Sequence, residues 1–183
     1  MSAPRARSGI RLAGERLVLR EFAVTDEEAV HAFAGDPVVT RFTEWGPNSV
    51  EDSRAFLAET TAQVTDPLRA EFTLAATLAG SGRVIGSVAI GVTSAQHRRG
   101  EFGFVFHPEF WSRGYATEAS ALLLRFGFEH LRLRRVSATC HPDNRASARV
   151  LEKVGLRFEG RMRDHMLVRG TWRDSLLYAV VDD

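Results

Sequence analysis

The residues best placed to do chemistry lie between Phe102 and Ala121, where an alternating apolar run meets a short loop, Arg113-Gly114, and then a long helical pattern. The first backbone N–H groups of a helix have no partner within it and carry the positive end of its dipole. A glycine at such a junction lets a phosphate approach the backbone, so this segment can act as a pyrophosphate cradle. Strand–glycine–helix junctions also arise for purely structural reasons, and both readings stay open at this point. Two other phosphate motifs are excluded: no Gly-Lys-Ser/Thr follows the loop, and there is no Gly-x-Gly-x-x-Gly.

Other reactive side chains offer less. The single cysteine, Cys140, allows no intrachain disulfide and no cysteine zinc site, and it reads as a buried strand residue of a protein in a reducing, cytoplasmic compartment. His107 and His141 each precede a proline in a turn, which suits a positional role better than proton transfer. His31, His97, His130 and His165 show no ligand spacing, so no metal is expected. Arg132, Arg134 and Arg135 form a basic cluster, either a solvated junction or a surface for an acidic partner. With 24 basic and 23 acidic residues, the net charge of +1 argues against nucleic acid as the main partner.

The elements that must position these residues follow from periodicity. Arg16–Phe22 alternates as a first strand, and Thr25-Asp-Glu-Glu28 opens a helix that Asp36-Pro37 stops. Phe42–Asn48 is a loop carrying two aromatics, Phe42 and Trp45. Ser49 and Asp52, at capping-box spacing, begin a second helix reaching about Val64. Glu71–Ala79 and Arg83–Val92 form a hairpin through Gly80-Ser-Gly82, and Glu101–Phe106 is the next strand. From Tyr115 to about His130, Ala119, Leu122, Leu123 and Phe126 fall at helical spacing. A strand over Arg135–Cys140, a helix over Arg145–Lys153 ended by Gly155, and strands Leu156 to about His165 and Ser175–Val181 complete the chain, the last two linked by Val168–Trp172. Residues 1–13 read as a mobile arm without the apolar stretch of a signal peptide, and residues 14–183 as one domain. No run approaches a membrane span, so no membrane partner is expected.

Phe110-Trp-Ser-Arg-Gly-Tyr-Ala-Thr-Glu-Ala119 resembles the coenzyme-A-binding motif of the GNAT acetyltransferase superfamily, in the form of its RimJ/RimL-type branch. Gly114 and Ala116 match the last two positions of Gln/Arg-x-x-Gly-x-Gly/Ala, while Trp111 replaces the leading Gln/Arg. Asn144-Arg-Ala-Ser147, Leu151-Glu-Lys-Val-Gly-Leu156 and Gly170-Thr-Trp-Arg-Asp174 follow in order, so the likeness covers nearly the whole chain. It implies an α+β fold of GNAT type. Its central, mostly antiparallel mixed sheet would hold about seven strands flanked by about four helices, with a strand pair splayed at the cofactor site.

The same resemblance implies the chemistry. Acetyl-coenzyme A would be the co-substrate, its pyrophosphate gripped by backbone N–H groups from Ser112 to Ala116, with Trp111, Arg113, Tyr115 and Thr117 beside them. Backbone groups of Phe104, Val105 and Phe106 would pair with the pantetheine arm in β-augmentation style, helped by Asn144. The acetyl group would pass directly to an amine, so Cys140 needs no role. At pH 7 about a tenth of an α-amine is neutral, against less than about one in a thousand for a lysine amine. Deprotonation help therefore matters far more for the second. Glu101 is the candidate base, its alternative being a solvated carboxylate paired with Arg98 or Arg99. Ser147 is the candidate hydrogen-bond donor to the sulfur, its alternative a polar first-turn residue. Phe42, Trp45 and Trp172, on loops, would line the acceptor pocket or cover core. The leading acceptor is a protein N-terminal α-amine, followed by a small-molecule amine. A non-catalytic coenzyme-A sensor and an RNA- or ribosome-binding module using the arginine cluster are the rivals, and a homodimer is an assembly common among relatives.

Overall fold

The computed structural model describes residues 9–182. One sheet of eight strands runs through it: β1 (Arg11–Ala13), β2 (Leu17–Glu21), β3 (Glu71–Leu78), β4 (Val84–Ser94), β5 (Arg99–Phe106), β6 (Arg135–Cys140), β7 (Arg157–Val168) and β8 (Thr171–Val181). Their spatial order is β1-β2-β3-β4-β5-β6-β8-β7, and every pair is antiparallel except β5–β6, which is parallel. The helices are α1 (Glu27–Ala34), α2 (Val50–Gln63), α3 (Tyr115–Glu129) and α4 (Arg145–Lys153). This is the expected α+β arrangement of GNAT type.

The sheet has eight strands where about seven were expected, the addition being β1 within the expected arm. Arg11–Ala13 pairs with Val18–Arg20, and Ile10 is buried against the core, so residues 10–13 belong to the folded domain. Residues 1–8 of the expected arm lie outside the described residues.

The two sheet faces carry separate apolar clusters. On one, Ala119, Leu123 and Phe126 of α3 and Leu151 of α4 pack on Leu74, Ile90, Phe102 and Phe106. On the other, Val30 and Phe33 of α1 and Leu57 of α2 pack with Phe22, Ala75 and Val84, and Val105 joins them. Alternation along the strands sends even-numbered residues of β3, of β5 and of β4 from Gly86 to Val92 to the first face and odd-numbered ones to the second, while the register shift opposite Ala76 and Thr77 turns Ile85 to the first face and Val84 to the second. The anticipated capping box holds α2: Asp52 N–H donates to Ser49 Oγ at 3.1 Å, and Ser49 N–H to Asp52 Oδ2 at 2.9 Å.

The C-terminal hairpin is longer than its pattern suggests. β7 continues to Val168 and β8 begins at Thr171, around a two-residue turn in which Arg169 and Gly170 both have positive φ. The register slips between Met162 and Met166, where Asp164 has φ 45°. Such a bulge interrupts the polar–apolar alternation by which a strand is recognised. Trp172 therefore stands on β8 opposite Leu167, not on a loop.

Candidate active site

β5 pairs with β4 along its length but with β6 only over Arg99–Glu101, after which β5 and β6 part. Successive backbone groups point to opposite sides of a strand. Arg98 C=O accepts from Arg134 N–H at 2.7 Å on the β6 side, and His107 N–H donates to Ile85 C=O at 2.9 Å on the β4 side. By that alternation the backbone groups of Phe104 and Phe106 face the gap. Those of Val105 face β4, opposite Ser87. Val105 thus departs from the expectation, because its parity in the strand commits its N–H and C=O to the sheet. The Phe106 C=O is also occupied: Trp111 Nε1 donates to it at 2.7 Å. What stays open along the gap is the Phe104 N–H and C=O and the Phe106 N–H.

The gap runs toward the N-terminus of α3. Ser112 (φ 60°) and Gly114 (φ 81°) turn the chain so that Gly114 caps the helix, and its C=O accepts the first helical bond from Glu118 N–H at 3.0 Å. Tyr115, Ala116 and Thr117 consequently carry N–H groups without helical partners, and they line the groove with Trp111, Ser112 and Gly114. Arg113 is turned away, its guanidinium over the Phe110 ring and its C=O accepting from Arg16 Nη1 at 2.9 Å. Open strand edge and helix cradle together fit a molecule with an amide-bearing arm and a pyrophosphate. One sequence feature went unused: Arg145, Arg149 and Lys153, at i, i+4 and i+8 on α4, all line the same groove and add positive charge to it.

At the start of α4, Asn144 Oδ1 accepts from Ser147 N–H at 3.1 Å, a helix cap that leaves its amide N–H₂ available. Ser147 lines the groove, and its hydroxyl has no hydrogen-bond partner among the described residues. His141 and His107 have the positional role expected of them, their Nδ1 atoms accepting from Asp143 N–H (3.1 Å) and Glu109 N–H (3.3 Å). Cys140 lines the groove but is buried, which with the nearby Glu152 charge pushes its thiol up to about 11. Among the described residues no group of three or more His, Cys, Asp or Glu is placed to hold a metal.

The groove, about 1330 Å³, continues across the second face of the sheet. Its floor there is a grid set by register: Glu71, Gly91 and Glu101 in one row; Thr73, Ala89 and Gly103 in the next; Ser87 and Val105 in the third, where Ala75 is covered by the helices. Glu101 lies where β5 leaves β6 and makes no ion pair among the described residues; Arg98, one of its expected partners, donates instead to Arg132 C=O at 2.6 Å. Phe42 and Trp45, in the segment between α1 and α2, form a wall. Phe42 stacks on His141, centroids 4.9 Å apart, and so ties this wall to the β6–α4 turn. Arg169, at the tip of the β7–β8 hairpin, holds the wall through the carbonyls of Thr40, Trp45 and Gly46. Trp172, the third expected wall residue, is exposed and lies outside the groove. Glu71, Thr73 and Ser87 were missed because only cross-strand register brings them to the floor.

Comparison with known proteins agrees with this geometry. Residues 16–157 match the Acetyltransferase (GNAT) domain model. The N-acetyltransferase YnaD of Bacillus subtilis is 29% identical over 174 residues, covering 95% of this chain and 98% of that one. A GNAT-family acetyltransferase structure from Bacillus anthracis superposes with a TM-score of 0.84 at 31% identity, over 94% of this chain and 98% of that one. Mycobacterium smegmatis RimJ, solved with CoA-disulfide, gives 0.82 at 25% identity, over 96% and 88%. The splayed strands, the cradle at α3 and these likenesses agree: the chain belongs to the GNAT family of acetyltransferases.

Proposed function

We propose that this acetyl-coenzyme-A-dependent enzyme transfers the acetyl group directly to a primary amine bound over the β3–β5 floor. One observation carries the reading: a single groove joins the open β5 edge and the α3 cradle to a floor holding a free carboxylate, Glu101. Bound acetyl-coenzyme A would supply the activated acyl group as a thioester. Phe104 and Phe106 would hold the pantetheine amides, Ser112 to Thr117 the pyrophosphate, and the Asn144 amide the arm between them. Glu101, directly or through water, would take a proton from the acceptor nitrogen as the N–C bond forms. The Ser147 hydroxyl would donate a hydrogen bond to the sulfur as the C–S bond breaks. The products are an N-acetyl amine and coenzyme A, whose thiol gains a proton from solvent.

The resemblance to the RimJ/RimL-type branch puts a protein N-terminal α-amine first among acceptors. A small-molecule amine is the second reading, favoured by the acidic groups on the floor. The buried, unreactive Cys140 is consistent with the reducing cytoplasm as the site of action. Coenzyme A release, followed across N-terminal peptides and small amines, tests the reading: turnover with an amine supports it, and cofactor binding without turnover on any amine replaces it with a non-catalytic sensor.

A further inference from the structure

The acceptor end of the groove has chemistry that amine transfer alone does not require. Glu71 and Glu101 flank Gly91 in one row of the sheet, two strand spacings or about 10 Å apart. Among the described residues neither carboxylate has a hydrogen-bond or ion-pair partner. Arg69, close to Glu71 in sequence, does not compensate it, since its guanidinium is committed to Glu21 at 2.8 and 3.1 Å. In the next row stands Thr73, at 8% exposure, and one row further Ser87, at 7%, both lining the groove. Neither hydroxyl has a hydrogen-bond partner among the described residues, whereas Thr77, further along β3 on the same face, donates to Val18 C=O at 2.8 Å. The side chains are nine-tenths buried, yet their hydroxyl oxygens stay open to the groove, where a ligand can reach them.

Of the other charges lining this end, Glu44 stands on the wall beside Trp45, and three more are directed elsewhere. Asp174 is engaged by Arg161 Nε at 2.6 Å, Arg41 lies over the Phe42 ring at 5.0 Å, and Arg173 Nη1 donates to Arg41 C=O at 3.4 Å. One carboxylate suffices to serve the reacting nitrogen. A second, a fixed distance away over a floor of Gly91, Ala89 and Gly103, suits a second positive charge on a slender chain.

Resting on the amine-transfer reading, we propose that the acceptor is a short aliphatic diamine. Its reacting amine lies at Glu101, and its second ammonium is held by Glu71 with the Thr73 hydroxyl as a further acceptor. Only one nitrogen is acetylated: as the neutral amine it bonds to the carbonyl carbon and gives a proton to Glu101, while the C–S bond breaks and coenzyme A leaves as a thiolate that takes a proton from solvent. The other stays an ammonium, and the product is a monoacetyl diamine.

Putrescine and n-butylamine share a carbon chain and differ in the second ammonium, so kcat/KM for each, by coenzyme A release, isolates its recognition. The wild type is expected to prefer putrescine by about tenfold or more, the scale of one charged hydrogen bond. In Glu71→Gln that ratio should fall toward one, mainly through KM for putrescine. The ratio is internal to each variant, so partial misfolding cancels, and acetyl-coenzyme A affinity by calorimetry serves as the folding control. Equal rates for the two amines in the wild type overturn the proposal, as does a preference that survives Glu71→Gln. Turnover of n-butylamine or N-terminal peptides without putrescine turnover overturns the diamine alone. Silence from every amine overturns both this proposal and the reading beneath it.

Discussion

Arg16 and Glu118, 102 positions apart, are buckled together at the base of the cofactor cradle: Arg16 donates to the Glu118 carboxylate from its backbone N–H at 2.7 Å and from Nε at 2.9 Å. Leu17 N–H adds a third bond at 3.1 Å, while Arg16 Nη1 reaches Arg113 C=O and its guanidinium lies over the Tyr115 ring. The entry to β2 is thereby fastened to the first turn of α3, where the N–H groups without helical partners begin.

Replacing Glu118 by Gln should loosen that turn. Burial pushes the Glu118 carboxyl up, but the three bonds from Arg16 and Leu17 outweigh it and hold it below the ordinary glutamate range. Loss of the charged acceptor should cost about 1–3 kcal/mol, a drop in Tm of about 3–8 °C. Because the folded pKa is depressed, this stabilisation is present above the ordinary glutamate range and disappears as pH falls through the folded value. The Tm gap between wild type and variant should thus be widest at neutral pH and close in acid. A gap independent of pH would show that the charge is not what holds the turn.

Gly114→Ala tests the turn itself. Gly114 has φ 81°, a conformation that costs a residue with a side chain about 1–2 kcal/mol. The added Cβ would meet only the movable Arg16 Nη2, at 3.3 Å, so the backbone dominates. Calorimetry should show weakened acetyl-coenzyme A binding with the acceptor KM little changed.

Glu101→Gln should lower kcat by about a hundredfold for an alkylamine and by much less for an N-terminal peptide. The difference follows from the acceptors' own acidity, since far more of an α-amine is neutral at pH 7. Raising the pH should recover much of the alkylamine rate in the variant. An equal loss for both acceptors at every pH would assign Glu101 to binding.

How much of this was legible in the sequence depended on the range of the interaction that decides each feature. α3 was visible because Ala119, Leu122, Leu123 and Phe126 repeat within one element, and α4 because Asn144 caps it and Gly155 (φ 94°) ends it. The Arg113-Gly114 turn into α3 was visible because its residues are contiguous. β1 was missed because three residues cannot establish a period, and Trp172 was misplaced because the bulge near Asp164 hides the continuation of β7. Val105 was assigned an open backbone that only its parity against β4 rules out. The Glu71–Gly91–Glu101 row joins positions on three strands and exists only once their register is known.

Cys140 should resist alkylation despite lining the groove. With its thiol pushed up to about 11 by burial and the Glu152 charge, iodoacetamide at pH 8 should react about a hundredfold more slowly than with a free cysteine. Unfolding in denaturant should restore the ordinary rate. Fast labelling of the native enzyme would mean that the β6–α4 end opens in solution.

Arg169 reaches out of a hairpin turn with φ 49° to hold the wall that carries Phe42 and Trp45. Its Nη2 lies 3.1 Å from Trp45 C=O and 3.5 Å from Thr40 C=O, and it also bonds Gly46 C=O. Bonds from a charged donor contribute about 1.5–3 kcal/mol where they are shielded and less where water competes, as on this exposed wall. Arg169→Ala should therefore free the Thr40–Gly46 segment without unfolding the sheet. Hydrogen exchange should rise in that segment and stay unchanged in β5 and α3. The acceptor KM should increase several-fold while acetyl-coenzyme A affinity holds, because the cofactor cradle is built from other elements. If the acceptor KM does not move, the wall is not part of the acceptor site, and Phe42 and Trp45 return to covering the core.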